Sequence, residues 1–182
     1  HDIQRIERLI TDYSQMLKDE VALSKEKMKK INLKLIVKSV VDDFNNIYEA
    51  KRGIKIEFID QAKIDEYLIF GIENRIEQII ANLLDNSISF SDDNQKILVK
   101  IDKDPSNKIT LKIIDQGKGF KEKDTNKIFN RFYSNRPDSF GEHSGLGLNI
   151  VKNLVELHGG IINASNNANQ KGANVEIIFP KT

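Results

Sequence analysis

Three clusters of residues in this chain have the types and spacing to do chemistry. The first is Asn82-Leu83-Leu84-Asp85-Asn86, set in a run of helical periodicity. Asn82 and Asn86 are four apart, so both amides project from one face of the helix, while Leu83 and Leu84 serve the core. Asparagine is a mediocre helix former, so two on one face call for an explanation beyond propensity. An exposed polar edge is the common explanation. The chemical one is a pair of neutral oxygen ligands for a hard cation such as Mg²⁺, whose remaining positions go to water and phosphate.

The second cluster, Asp115-Gln116-Gly117-Lys118-Gly119-Phe120, follows an apolar strand pattern ending at Ile114. An acid at a strand end followed by two glycines sets a carboxylate beside backbone that can approach a ligand closely. An ionised carboxylate only accepts hydrogen bonds, which suits the exocyclic amino group of adenine. Taken alone, this spacing is a weak signal, since a turn opening on Asp is the commoner arrangement. The third cluster is Ser144-Gly145-Leu146-Gly147-Leu148, at the start of a helical pattern. Glycines at a helix N-terminus expose N–H groups and the positive end of the dipole, a ready anion site. It is not a dinucleotide fingerprint, because Ile150 occupies the third glycine position and a loop precedes it. Nor does the chain contain a P-loop, since GxxxxGK[ST] occurs nowhere in it. Between the second and third clusters lies Ile128-Phe129-Asn130-Arg131-Phe132-Tyr133 in a polar stretch. Phe129 and Phe132 are expected to anchor that loop to the core. Arg131 has a guanidinium fork suited to phosphate. A loop this long in a compact domain is usually functional.

The elements that must hold these clusters follow from hydrophobic period. Ile3, Ile6, Leu9/Ile10, Tyr13, Met16/Leu17 and Val21 form one apolar stripe over Asp2 to about Lys27, a helix that either packs on its own domain or joins a dimerisation bundle. Lys25 to Lys30 reads as a solvated linker or helix end. A second helix is expected with Leu35, Ile36, Val40, Val41, Phe44 and Ile47/Tyr48 inward, ended by Gly53. Strands are expected at Ile54–Phe58, Tyr67–Phe70, Ile97–Ile101, Ile109–Ile114, Ile161–Ala164 and Asn174–Phe179. Helices are expected over Asn74–Phe90, with Ile76, Ile79/Ile80, Leu83/Leu84 and Ile88 inward, and over Leu146–Leu157, ended by Gly159-Gly160. The class is α+β, with helices on one face of a mostly antiparallel sheet.

Composition narrows the function classes. The chain has 182 residues with 28 Lys+Arg against 27 Asp+Glu, a formal net charge of +1, which argues against a dedicated nucleic-acid binder. Its length suits one domain plus an appendage. There are no cysteines, so disulfides, thiolate metal sites and cysteine nucleophiles are excluded together. No apolar run approaches the ~20 residues needed to span a bilayer, and Asp2, Arg5, Glu7 and Arg8 rule out a signal peptide at the start.

The ordered set NLLDN, DQGKG, IFNRFY and SGLGL, ending in KGANVEIIFP, resembles the catalytic domain of a bacterial sensor histidine kinase over about Asn32 to Pro180. The clusters are similar to the N, G1, F and G2 boxes of that family, within the wider superfamily that includes Hsp90, DNA gyrase and MutL. Phe132 to Pro137, with His143-Ser144-Gly145, looks most like membrane-bound envelope-stress or acid-sensing sensors of alphaproteobacteria. The resemblance implies the Bergerat ATP-binding fold, a two-layer α/β sandwich on a mostly antiparallel mixed sheet. It divides the chain into residues 1–28, the end of a dimerisation and histidine-phosphotransfer hairpin, and residues 29–182, the catalytic domain with a lid at about 116–144.

The roles the resemblance implies run residue by residue. Asn86 ligates Mg²⁺, and Asn82 assists at the phosphate end. Asp115 accepts the adenine amino hydrogen, Gly117 and Gly119 let the chain pass close to the base, and Phe120 belongs to the same nucleotide contact. Arg131 contacts the outer phosphates. Gly145, Leu146, Gly147 and Leu148 bring backbone amides to the triphosphate, and the lid from Gln116 to Ser144 closes over nucleotide. The implied reaction is transfer of the γ-phosphoryl group of Mg-ATP to a histidine. The implied partners are the hairpin and the second subunit of a homodimeric parent, and a response-regulator receiver domain. The implied place is the cytoplasmic side of an inner membrane, reached only through segments outside this chain.

Departures from the family pattern qualify these roles. Ser89 stands where many members carry Lys or Arg, leaving Arg131, Arg136 or Lys118 to supply the cation. Ala173-Asn174 replaces a small-Thr pattern near Asp115, which puts one water-mediated contact in question. Nothing matches the H-E/D-L-R-T/S-P acceptor sequence, so His1 reads as a boundary residue, His143 and His158 as structural, and the chain as a fragment without its own acceptor. Three other readings stand beside the favoured one. They are a serine kinase of the anti-sigma type, a nucleotide-binding regulatory module without kinase activity, and an Hsp90-like ATP hydrolase. The last needs a carboxylate to activate water, and the Hsp90-like branch has Glu where this chain has the neutral amide of Asn82.

Overall fold

The computed structural model describes residues 27–121, 125–130, 147–168 and 170–182, together with Ile3. The stripe expected over Asp2 to Lys27 therefore lies almost wholly outside the described residues.

The chain enters through a strand that its composition conceals. β1 (Lys29–Asn32) pairs antiparallel with β3 (Leu68–Gly71), with Ile31 opposite Ile69 and Asn32 opposite Leu68. The expected linker is thus corrected for its last two lysines. Their side chains are solvated as expected, but their backbone sits in a ladder, and the Lys30 ammonium lies 5.9 Å from the centroid of the Phe70 ring. Four residues are too few for alternation to show.

α1 (Leu33–Arg52) begins where the Asn32 side chain accepts from the Lys34 N–H at 3.2 Å and from the Tyr67 N–H at 3.0 Å. It ends as expected at Gly53, whose φ of +65° closes the helix in the left-handed conformation. Its buried face is Leu33, Ile36, Val37, Val40 and Val41. Leu35 and Ile47, expected inward, are 64% and 55% exposed. The stripe of a straight helix passes through 33, 36/37 and 40/41, and Leu35 falls almost opposite its centre, about 170° away.

The main sheet has the order β2-β4-β5-β7-β6, from β2 (Lys55–Asp60), β4 (Lys96–Lys103), β5 (Ile109–Ile114), β6 (Ile161–Asn166) and β7 (Ala173–Phe179). Only β2 and β4 run parallel; the other neighbours are antiparallel. Val99, Ile113 and Val175 share one rung of the buried face, and Lys100, Lys112 and Glu176 one rung of the opposite face. This alternation is what one helix-covered face requires. α1, α2 (Glu73–Phe90) and α3 (Gly147–Leu157) cover the buried side, so the expected α+β class with a mostly antiparallel mixed sheet holds.

Two side chains lock the helices end to end. Arg52 of α1 donates to the Ile88 and Ser91 carbonyls at 2.8 and 2.7 Å, satisfying acceptors at the C-terminus of α2 where a cation also meets the negative dipole end. His158, just after α3, is buried; its Nδ1 donates to the Leu154 carbonyl at 2.7 Å and its Nε2 accepts the Ile72 N–H at 3.2 Å. Both ring nitrogens are thereby used in the neutral form, which confirms a structural His158.

Candidate functional site

The site is built on α2 and on the end of β5. Ile76, Ile79, Ile80, Leu83, Leu84 and Ile88 of α2 are buried, which fixes the rotation of the helix. That rotation leaves Asn82 half-buried and Asn86 buried on the remaining stripe. Ser89 is buried as well, and its hydroxyl donates to the Asn86 carbonyl at 2.7 Å. The hydroxyl of Ser89 is therefore spent within its own helix and takes no part in holding an anion.

Asp115 continues the inward alternation of Ile109, Leu111 and Ile113, so its side chain enters the helix-covered layer. It is 4% exposed. Its Oδ1 accepts from the Gly117 N–H at 3.0 Å and from the Ala173 N–H at 3.1 Å. Both donors go to the same oxygen, and among the described residues none donates to Oδ2. Burial pushes the carboxyl above the usual aspartate range, and the two amide donors only partly oppose it. The Asp115 N–H also donates to the Ala173 carbonyl at 3.0 Å. The Ala173-Asn174 departure thus leaves these direct bonds intact, because they run through the backbone of Ala173. Asn174 points to the other side of β7.

The glycines divide by what their missing side chains permit. A Cβ on Gly117 would stand 2.2 Å from the Phe90 carbonyl oxygen, so this glycine lets the loop lie against the last turn of α2. Gly119 has φ of +77°, and a Cβ there would meet Asn166 Oδ1 at 2.7 Å. These two are needed by the protein itself, whatever passes beside them. Among the described residues a Cβ on Gly147 would meet nothing within 4 Å, and backbone N–H groups in the first turn of a helix fit an anion. Leu148 is half-buried and packs on the core, while the backbone of Gly147 and Leu148 forms the first turn of α3. α2 packs against both α3 and β5, which brings the first two clusters and the end of the third, Gly147-Leu148, around α2.

Arg131, Gly145 and Leu146 lie outside the described residues, as do Arg136, Phe132, His143 and Ser144. Of the expected lid, the described parts are 116–121 and 125–130. Thr125–Phe129 forms a 3-10 turn whose Ile128 and Phe129 are buried, so Phe129 anchors the loop as expected. Phe120 is half-buried, and its N–H donates to Asn166 Oδ1 at 2.7 Å.

Sequence reasoning passed over three participants. Asn166 and Asn167 bond the backbone of the DQGKG loop, and Gly172 packs so tightly on it that a Cβ would stand 2.0 Å from the Asp115 carbonyl oxygen. The only signal was an Asn- and Gly-rich turn. Lys118 also rests 5.5 Å from the Phe90 ring centroid, which ties the same loop to the end of α2.

Among the described residues no group of three or more His, Asp or Glu could hold a metal ion. A single buried amide such as Asn86 instead suits a magnesium ion that arrives on a phosphate and keeps several waters.

Comparison with known proteins shows the family and the fold. The family model described as histidine kinase-, DNA gyrase B-, and HSP90-like ATPase matches residues 71–182. The Sensor protein ChvG of Rhizobium meliloti (strain 1021) is 34% identical over 178 residues, which is 94% of this chain and 31% of that protein. The chain spans about a third of the length of the curated relatives it matches. The solved catalytic domain of the histidine kinase ThkA has a TM-score of 0.74 at 25% identity, covering 86% of this chain and 97% of that one. The complex of ThkA with the response regulator protein TrrA gives a TM-score of 0.71 at 23% identity, over 95% of this chain and 48% of that one, a likeness of fold alone.

Proposed function

Since the chain belongs to the histidine kinase-, DNA gyrase B- and HSP90-like ATPase family, we propose that it is the ATP-binding catalytic module of a two-component sensor histidine kinase. The observation that carries the reading is the asymmetry of Asp115. One carboxylate oxygen is occupied by two backbone amides and the other has no donor among the described residues, at the inner end of a strand beside α2. A buried acceptor of this kind fits an amino group on a flat base.

Asn86 would hold Mg²⁺ and Asn82 would act at the phosphate end. The amides of Gly145 to Leu148 and the Arg131 guanidinium would meet the triphosphate. Magnesium, when bound with the nucleotide, supplies charge neutralisation on the phosphates. The chain's own share is positioning: Asp115 sets the base, the first turn of α3 orients the phosphates, and Asn82 and Arg131 stabilise charge as the γ-phosphoryl group leaves. The amide of Asn82 is a poor base toward water, which favours transfer to a presented histidine over hydrolysis. That histidine would come from the dimerisation hairpin, of which residues 1–28 would be the end; residues 29–182 would be the catalytic domain. The solved ThkA–TrrA complex supports a response-regulator receiver domain as a further partner. Among the described residues no helix is long and apolar enough to cross a membrane. The family resemblance would put the module on the cytoplasmic side of a membrane-bound parent.

Calorimetric titration with a non-hydrolysable ATP analogue, with and without Mg²⁺, tests the binding half. A transfer assay with a supplied histidine-bearing hairpin tests the chemistry. Binding that strengthens with Mg²⁺, followed by transfer, is expected. Binding without transfer would leave the regulatory-module reading, and steady ATP turnover by this chain alone would favour the hydrolase.

A further inference from the structure

The loop that carries Asp115 is not held by its own strand alone. The Asn167 Nδ2 donates to the Asp115 carbonyl at 3.0 Å and to the Lys171 carbonyl at 3.2 Å, and the Asn167 N–H donates to the Gly172 carbonyl at 2.9 Å. Five residues past Asp115, Asn166 grips Phe120 from both sides. Its Oδ1 accepts the Phe120 N–H at 2.7 Å, and its Nδ2 donates to the Phe120 carbonyl at 3.1 Å. The two glycines that clear space for these contacts are Gly119 for Asn166 and Gly172 for Asn167; a Cβ on Gly172 would lie 2.6 Å from the Asn167 Nδ2. Two adjacent side-chain amides, at the end of β6 and the first turn residue after it, thus take hold of both ends of Asp115–Phe120. They do so across 52 and 46 residues of chain.

We propose that Asn166 and Asn167 are positioning residues for the base-recognising carboxylate, a two-point clamp that holds Asp115 and the loop behind it in the geometry that reads the amino group. Side-chain amides suit the task because each offers a donor and an acceptor in one rigid plane and so can satisfy a peptide unit that is in neither helix nor sheet. Asn167 acts at the carbonyl of Asp115 and Asn166 at the far end of the loop, so the carboxylate is fixed without either amide touching it. In metal sites, removing a partner that orients a ligating group from behind costs roughly 10–100-fold in affinity, and the same kind of indirect loss is expected here.

This inference rests on the reading of Asp115 as the acceptor for adenine, and the test separates the two. Affinities of the 182-residue chain are measured by calorimetry for Mg-ATP and for the triphosphate of purine riboside, which lacks the 6-amino group. The proteins are wild type, Asn167→Ala, Asp115→Asn and the double variant. Asn167→Asp, which removes the donor at nearly constant volume, takes the place of Asn167→Ala should the alanine variant not fold. Asn167→Ala is expected to weaken Mg-ATP about tenfold, to leave the purine riboside triphosphate unchanged, and to add no loss in the Asp115→Asn background. Equal weakening of both ligands, or a loss that adds to that of Asp115→Asn, would mean general damage to the loop and overturn the proposal; so would no change at all. If Asp115→Asn alone leaves Mg-ATP binding untouched, the assignment of Asp115 falls, and the clamp's role in base recognition falls with it.

Discussion

The Gly117 Cα lies so close to the Phe90 carbonyl that a Cβ built on it would stand 2.2 Å from the oxygen. The loop that carries Asp115 and the helix that carries Asn86 are therefore one packed unit, with Lys118 over the Phe90 ring as a second contact. Moving either element moves both. Gly117→Ala should cost about 1–3 kcal/mol in stability by overpacking and should weaken ATP binding as well. Urea unfolding read beside calorimetry checks both effects. Gly147→Ala, with no described residue within 4 Å of its Cβ, should leave stability within about 0.5–1 kcal/mol.

Asp115→Asn tests the acceptor directly. The amide oxygen can keep the bonds from Gly117 and Ala173, while its NH₂ would face another donor on the base. ATP affinity should fall about 10–100-fold, the worth of a hydrogen bond to a charged group. Because burial raises the folded pKa of Asp115 above its ordinary 3.8, the folded state holds this proton more tightly than the unfolded chain. The group's contribution to stability therefore falls as pH rises through that window, and the charge is a net cost at neutral pH. The melting temperature of Asp115→Asn should consequently be no lower than that of the wild type.

His158 links stability to pH in the opposite sense. Burial lowers its pKa below the ordinary 6.5, against the bond to the Leu154 carbonyl, and protonation would set an N–H against the Ile72 N–H. As pH falls through 6.5 the unfolded chain takes the proton first, so stability is full above that value and declines below it. Urea midpoints measured from about pH 7.5 to about 5.5 should fall, and His158→Gln should flatten the part of that fall due to this group.

Asn86→Ala should abolish the strengthening of ATP-analogue binding by Mg²⁺ while leaving a smaller, metal-independent affinity. Titrations with Mg²⁺ and with a chelator distinguish this outcome from a general loss of binding.

On α1 the two faces should answer differently to truncation. Ile36→Ala, in the core, should cost about 2–4 kcal/mol. Leu35→Ala, on the exposed side, should stay within about 0.5 kcal/mol. Thermal or urea unfolding of the pair checks the corrected orientation of the helix.

Much of the fold was legible because its signals are local. The period of α2, the alternation of β5 and the left-handed stop at Gly53 each depend on residues within a turn or two of one another. β1 escaped notice because four residues, two of them lysines, carry no visible period, and the ladder with β3 comes from more than thirty residues away. Leu35 and Ile47 were misassigned because an apolar residue can lie on an exposed face, and only packing decides which stripe is covered. For the site, the clusters around Asn86, Asp115 and Gly147 stood out because their residue types conflict with the elements that hold them. Asn166 and Asn167 did not, because asparagine in a turn needs no explanation.

By itself, then, the sequence determined the order of most helices and strands and singled out the clusters proposed to bind a nucleotide, since both are written in spacing along the chain. Tertiary structure alone decided that Ser89 turns its hydroxyl back onto its own helix and that Asp115 leaves one oxygen without a donor among the described residues. It also decided that two distant asparagines hold the loop that follows β5. The physical reason is that a hydrogen-bonding group's role depends on which partners remain once the chain has folded, and the partners of Asp115 lie as far as 58 residues away.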